Sequence, residues 1–187
     1  MPHFLNSVTL LSAPAEALRE VFARLGFSVP PGGGVALENA TLAPRDAVEA
    51  GAAREPLSLV MTARPNDETA HTPHPNSVRA LAAVVRTFEN PADHAEIFSR
   101  AANQREMRAT SAGLELKLAN ARLEILTPAA FDQIYGGAGD AVVFATTDLA
   151  ATRDFFERAQ VAFEEKFGRL VVAAGATLML AFEAQER

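Results

Sequence analysis

The residue best suited to chemistry is Glu124, one carboxylate in the otherwise apolar run Leu123-Glu-Ile-Leu126, two positions after Arg122. Strand alternation sets Arg122, Glu124 and Leu126 on one face and Leu123 and Ile125 on the other. On an enclosed apolar face such a carboxylate is a candidate general base, because burial disfavours its charged form and raises its pKa. On an open sheet face the same residues form an ordinary surface ion pair with Arg122. A second candidate group is His71 and His74 with Asn76, in a Pro-rich segment. These could serve as ligands or polar pocket contacts, although turn chemistry alone accounts for Pro-His-Pro-Asn, and the spacing is not the H-E-x-x-H of a helical zinc pair. His94, flanked by Asp93 and Glu96, reads as a solvated helix residue, and His3 as terminal surface.

Several chemistries are excluded. The chain has no cysteine, which removes disulfides, thiolate metal sites and cysteine nucleophiles. No G-x-S-x-G elbow surrounds Ser77, Ser99 or Ser111. Gly32-Gly-Gly34 lacks a following Lys-Ser/Thr and leads into a strand, so it is a turn rather than a phosphate cradle. Asp140 and Asp148 read as strand-start and helix-cap residues, and the lone Tyr135 as the end of a bridging helix. A net charge of −6 with no Lys/Arg cluster argues against a nucleic-acid partner. No apolar run reaches the roughly 18 residues that span a bilayer, and Met1-Pro-His-Phe-Leu-Asn has no basic signal region. A cytoplasmic location without a membrane partner is expected.

The elements that must position Glu124 come in repeats. Residues 140–147 form a strand, 148–159 a helix opened by Asp148, and 161–167, 169–174 and 177–182 three strands split by Gly168 and Gly175. The same order is expected upstream: strand 78–88, a helix over 91–102 capped by Asn90, and strands 105–110, 114–118 and 122–126. A helix over 128–136 bridges the two copies. A degenerate third copy occupies 1–63: a strand from Leu5, a helix over 14–25 capped by Ser12, strands 35–42 and 57–62, and a short helix over 44–53 between them. Residues 64–77, with Pro65, Pro73 and Pro75, form the linker.

The stretches His74-Pro-Asn-Ser-Val-Arg-Ala-Leu-Ala-Ala-Val-Val85, Asn90-Pro-Ala-Asp-His94, Ala112-Gly-Leu-Glu115, Arg122-Leu-Glu-Ile-Leu-Thr-Pro-Ala-Ala-Phe131 and Phe144-Ala-Thr-Thr-Asp-Leu-Ala-Ala-Thr152 carry a resemblance. In this order of elements the chain resembles the vicinal oxygen chelate superfamily: glyoxalases, extradiol dioxygenases and bleomycin-resistance proteins. The likeness covers 74–183 and reaches the first 62 residues only in outline, through Phe22-Ala-Arg-Leu-Gly-Phe27. Family metal sites take a histidine from the leading strand of each paired module and a glutamate from the closing strand. The matching leading positions are Ser7, Ala83 and Ala141, and the closing ones about Leu59, Glu124 and Met179. Only Glu124 keeps a ligand type, and one carboxylate cannot replace the three or so protein ligands a divalent ion needs.

The expectation is therefore an α+β fold of βαβββ modules, two paired into a half-open curved barrel, with the degenerate third at the N-terminus. The resemblance implies a mainly apolar small-molecule cavity walled by Ala83, Val85, Ala141, Val143 and Met179. Arg122 and Glu124, the catalytic candidate, lie on it, and His74 and Asn76 are polar contacts. No cofactor is expected, although histidines from elsewhere in the chain would restore a divalent metal and with it a lyase, isomerase or dioxygenase acting on a small carbonyl or aromatic compound. A metal-free binding protein of the bleomycin-resistance kind and a purely structural dimer module are the other readings. An odd third module predicts a homodimer, since pairing with a second chain would cover its free face.

Overall fold

The computed structural model describes residues 1–12, 14–31, 33–46, 57–65 and 73–185. The N-terminal part contains β1 (Phe4–Ser12), α1 (Ala15–Arg24), β2 (Val35–Ala36), β3 (Thr41–Asp46) and β4 (Leu57–Thr62). The rest begins with β5 (Val78–Thr87), a 3₁₀ turn (Pro91–His94), α2 (Ala95–Ala102), β6 (Met107–Thr110), β7 (Gly113–Lys117) and β8 (Arg122–Leu126). It continues with α3 (Pro128–Tyr135), β9 (Asp140–Thr146), α4 (Leu149–Arg158), β10 (Glu164–Lys166), β11 (Arg169–Ala173) and β12 (Leu178–Ala184). The fold is mixed α+β with two sheets, of strand order β2-β3-β1-β4 and β10-β11-β12-β9-β5-β8-β7-β6.

The larger sheet has two halves of one strand order, joined by the antiparallel pair β5–β9. In each half the leading strand runs parallel to the closing one, β5 to β8 and β9 to β12. Buried Asp140 strengthens the joint, accepting from the Thr87 amide at 2.9 Å and pairing with Arg86 at 3.0 Å. Capping follows chemistry at two helices: Asp148 accepts from Ala151 N–H at 3.0 Å and Thr127 from Ala130 N–H at 3.3 Å. Asn90 makes no side-chain cap, and Pro14 occupies the N-cap position of α1. The Ala15 amide donates instead to Asp46 on β3, at 2.8 Å.

The N-terminal sheet departs from expectation. Its closing strand is β3, parallel to β1 with Ser7 beside Thr41 and Thr9 beside Ala43. β4 runs antiparallel to β1, with Leu59 opposite Val8. That is the relation of β9 to β5, where Val142 lies opposite Val84. β4 thus stands where a partner's leading strand would, and the closing position is Ala43 rather than Leu59. Of the short helix expected over 44–53, residues 44–46 belong to β3 and 47–53 lie outside the described residues.

Alternation divides the larger sheet into two apolar faces. Leu81, Val84, Leu123, Ile125, Val142, Phe144, Leu180 and Phe182 share one core with Leu5, Val8, Leu10, Leu18 and Phe22 of the N-terminal part. Phe27, just past α1, packs on Phe144 and Phe182 at 4.9 and 6.2 Å between ring centres. The N-terminal module is therefore covered within its own chain. β4 remains an edge strand of its sheet. Among the described residues no helix is long and apolar enough to cross a membrane.

Candidate functional site

Two turns of like sequence build one wall of the site. Leu37-Glu-Asn-Ala40 precedes β3, and Leu118-Ala-Asn-Ala121 precedes β8; each is closed by a 2.9 Å bond from its leucine amide to its last carbonyl. Their asparagines clasp reciprocally. Asn39 accepts from Leu81 N–H and donates to the Leu81 and Asn120 carbonyls, all at 2.8 Å. Asn120 accepts from Leu5 N–H at 2.8 Å and donates to the Leu5 and Asn39 carbonyls at 3.0 and 2.8 Å. Each module thereby grips the other's leading strand. On β5 the grip falls where the ladder to β9 shifts register, between Leu81 and Ala83.

Beside this clasp lies a cleft of about 720 Å³. Its walls carry Ala80, Ala82 and Ala145 among charged side chains: Arg108, Glu115, Lys117, Arg122, Glu124, Arg169 and Glu183. The deepest groups form a chain of ion pairs across the closing strands of both halves. Glu183 of β12 accepts from Arg122 Nη2 through Oε1 and from Arg169 Nη2 through Oε2, both at 2.8 Å. Arg169 also donates to the buried Tyr135 hydroxyl at 3.1 Å, its guanidinium 5.7 Å from that ring's centre. Glu124 stands at the end of the chain, 3.5 Å from Arg122 Nε, with 13% of its side chain exposed.

Burial sets the protonation of this cluster. It pushes the Glu124 carboxyl above the usual carboxylate range, against the pull of Arg169 and Arg122, and nearby Glu115 adds to the rise. Burial also drives the Tyr135 hydroxyl well above its ordinary value, so it stays a hydrogen-bonding phenol. Burial works to lower Arg122, but hydrogen bonding and charge from Glu183, with help from Glu124, outweigh it and hold its pKa above normal. Both guanidiniums are thus fixed cations that share Glu183, and Glu124 is the carboxyl whose protonated form burial favours.

The predicted site residues separate into three groups. Arg122 and Glu124 line the cleft together, both on the face that alternation gave them. Ala83, Val85, Ala141 and Val143 lie on the same sheet face but are fully buried, in a second apolar cluster with Phe131 and Tyr135 of α3. The expected apolar cavity wall is in fact the seat of α3, and the open space beside it is polar. Met179 belongs to that cluster and reaches a smaller hollow of about 330 Å³ beside Tyr135 and Phe163. His74 and Asn76 lie elsewhere. The His74 ring accepts from Ser28 N–H at 3.1 Å, is bonded to the Ala36 carbonyl at 3.0 Å, and packs on Phe27. Asn76, wholly buried, donates to the Leu25 carbonyl at 2.7 Å and accepts from Val78 N–H at 3.1 Å. Both tie the end of α1 to the larger sheet. His71 lies outside the described residues.

The register also corrects the closing positions. Ala83 faces Val143 and Val85 faces Ala141, so a two-fold between the halves exchanges Ala83 with Ala141 and Val85 with Val143. Arg122 sits beside Ala83 as Met179 sits beside Ala141, and Glu124 beside Val85 as Ala181 beside Val143. Met179 is thus the counterpart of Arg122, and the counterpart of Glu124 is Ala181. The leading positions Ser7, Ala83 and Ala141 and the closing positions Ala43, Glu124 and Ala181 offer one carboxylate, already beside an arginine. Among the described residues no three His, Asp or Glu side chains are placed to hold a metal ion. This donor set falls short of the three or so protein ligands a divalent ion needs.

Glu183, Arg169, Lys117, Asn39 and Asn120 escaped the sequence reading. Glu183 had a legible signal, because it follows Met179 and Ala181 at the strand period, but the expected strand stopped at 182. The clasp had one too, in the paired Leu-x-Asn-Ala turns.

No protein-family model matches the chain, and no curated protein does. Solved structures do. The chain is similar to 2,2',3-trihydroxybiphenyl 1,2-dioxygenase from the dibenzofuran-degrading Sphingomonas wittichii strain RW1, with a TM-score of 0.55 and 9% identity over 99% of this chain and 91% of that one. It is likewise similar to BphC, a halotolerant catechol dioxygenase, with a TM-score of 0.56 and 9% identity over 99% and 87%. At this identity the likeness is one of fold alone.

Proposed function

We propose that this protein binds a small polar molecule in the cleft beside Arg122 and Glu124, with Glu124 as proton donor or acceptor and without a divalent ion. Strands from both halves of the larger sheet line that cleft, which supports the reading. The observation that carries the reading is the state of Glu124. It is a mostly buried carboxyl in an open cleft, set 3.5 Å from an arginine that a second carboxylate already holds at 2.8 Å. A carboxyl whose protonated form burial favours can donate a hydrogen bond to a ligand when protonated, or take a proton from it when ionised. The Arg122–Glu183–Arg169 chain fixes the surrounding charges, so the site needs little rearrangement when a ligand enters. The lack of further ligating side chains at Ser7, Ala83, Ala141, Ala43 and Ala181 supports a metal-free site.

The test is a fragment screen by amide NMR on uniformly labelled protein. Small polar fragments are expected to shift Ala82, Arg122, Glu124 and Ala145 together. Shifts confined to other surfaces, or no binding by any fragment, would contradict the reading.

A further inference from the structure

The register of β7 against β8 sets like charges directly opposite each other twice. Lys117 lies opposite Arg122, and Glu115 lies opposite Glu124. All four side chains line the cleft. Like charges facing across a strand pair are destabilising, and the neighbours relieve them only in part. Arg122 is held by Glu183 at 2.8 Å, but the nearest cation to Glu115 is Arg108 at 3.9 Å. Exposed Lys117 makes no ion pair among the described residues. The cationic row and the acidic row lie one strand repeat apart, roughly 6–7 Å. A sheet that keeps two such pairs side by side in a cleft breaks a local rule of stability, and such breaks gather where a ligand supplies the missing contact.

A lone anion would meet Glu115 and Glu124, and a lone cation would meet Lys117 and Arg122. A molecule carrying both charges a few ångströms apart satisfies both rows. We propose that the cleft recognises a small zwitterion of the amino-acid class, its carboxylate on Lys117 and Arg122 and its ammonium on Glu115 and Glu124. Ala80, Ala82 and Ala145 leave room beside the two rows for an apolar side chain. This inference rests on the cleft being the ligand site and adds the chemistry of what enters it.

The test is an NMR titration with the standard amino acids, each beside its deaminated acid and its decarboxylated amine; for leucine these are 4-methylpentanoate and 3-methylbutylamine. At least one amino acid is expected to bind tenfold or more tightly than both counterparts. Lys117→Gln should erase its margin over the amine, and Glu115→Gln its margin over the acid. Each substitution should also raise Tm, because each relieves a like-charge pair. A singly charged counterpart that binds as tightly as the amino acid, or an absence of amino-acid binding, overturns the inference. If polar fragments still shift the cleft in that case, the cleft remains the ligand site. If nothing shifts it, that reading falls as well.

Discussion

At the scale of single residues, Glu124 makes folding sensitive to pH. Burial raises its pKa in the folded state, against two neighbouring arginines. The folded chain therefore holds this proton more tightly than the unfolded chain does. Its contribution is fully present below the ordinary carboxylate pKa and is lost as pH rises through the raised folded value. Glu124→Gln, which mimics the protonated form, is expected to raise Tm at pH 8, with the gain vanishing near about pH 4. Thermal melts across that range check this, and a mutant less stable at pH 8 would contradict it. Glu183 predicts the opposite sign. Its carboxylate is shared by Arg122 and Arg169, whose side chains are 26% and 19% exposed. Glu183→Ala leaves two half-buried cations facing each other and is expected to cost about 2–3 kcal/mol in urea unfolding. It should also lower the Glu124 pKa, because both guanidiniums then turn to the remaining carboxylate.

At the scale of elements, α3 decides what kind of site the sheet offers. Phe131 and Tyr135 are buried against Ala83, Val85, Ala141 and Val143, which fills the apolar part of the sheet face. Phe131→Ala is expected to cost about 3–5 kcal/mol and to open an apolar floor that a hydrophobic dye reports as increased fluorescence. A cost under about 1 kcal/mol without dye binding would mean that α3 does not close that face. The helix was legible in the sequence from Thr127-Pro128 and Gly136-Gly137, and so was the two-sided pattern of β8. Its docking was not, because a helix pattern names an apolar stripe but not the surface that receives it. The same limit explains β4. The strand character of 57–62 is local, whereas its antiparallel place beside β1 is set by long-range pairing. His74 and Asn76 were misplaced for a related reason. Polar residues in a Pro-rich segment look free for chemistry until the fold brings the Ser28 amide and the Leu25 carbonyl to them.

At the scale of the whole molecule, the N-terminal module is part of the site's frame. The Asn39–Asn120 clasp joins the two sheets at the cleft wall and satisfies the backbone of Leu5 and Leu81. Asn39→Ala or Asn120→Ala is expected to cost about 2–4 kcal/mol, since each leaves buried backbone groups unpaired. The double mutant should cost less than the sum, because both side chains belong to one network. Amide exchange at Leu5 and Leu81 should quicken in both single mutants; an effect confined to one strand would contradict a reciprocal clasp. The central claim is a metal-free cleft that works through Glu124. Its most direct measurement is the affinity of a cleft-binding fragment for wild type and Glu124→Gln after exhaustive chelation. The account predicts that chelated wild type binds as before, and that Glu124→Gln binds at least tenfold more weakly with no loss of Tm. Binding that disappears on chelation and returns with iron or manganese, or equal affinity in the two proteins, would contradict it.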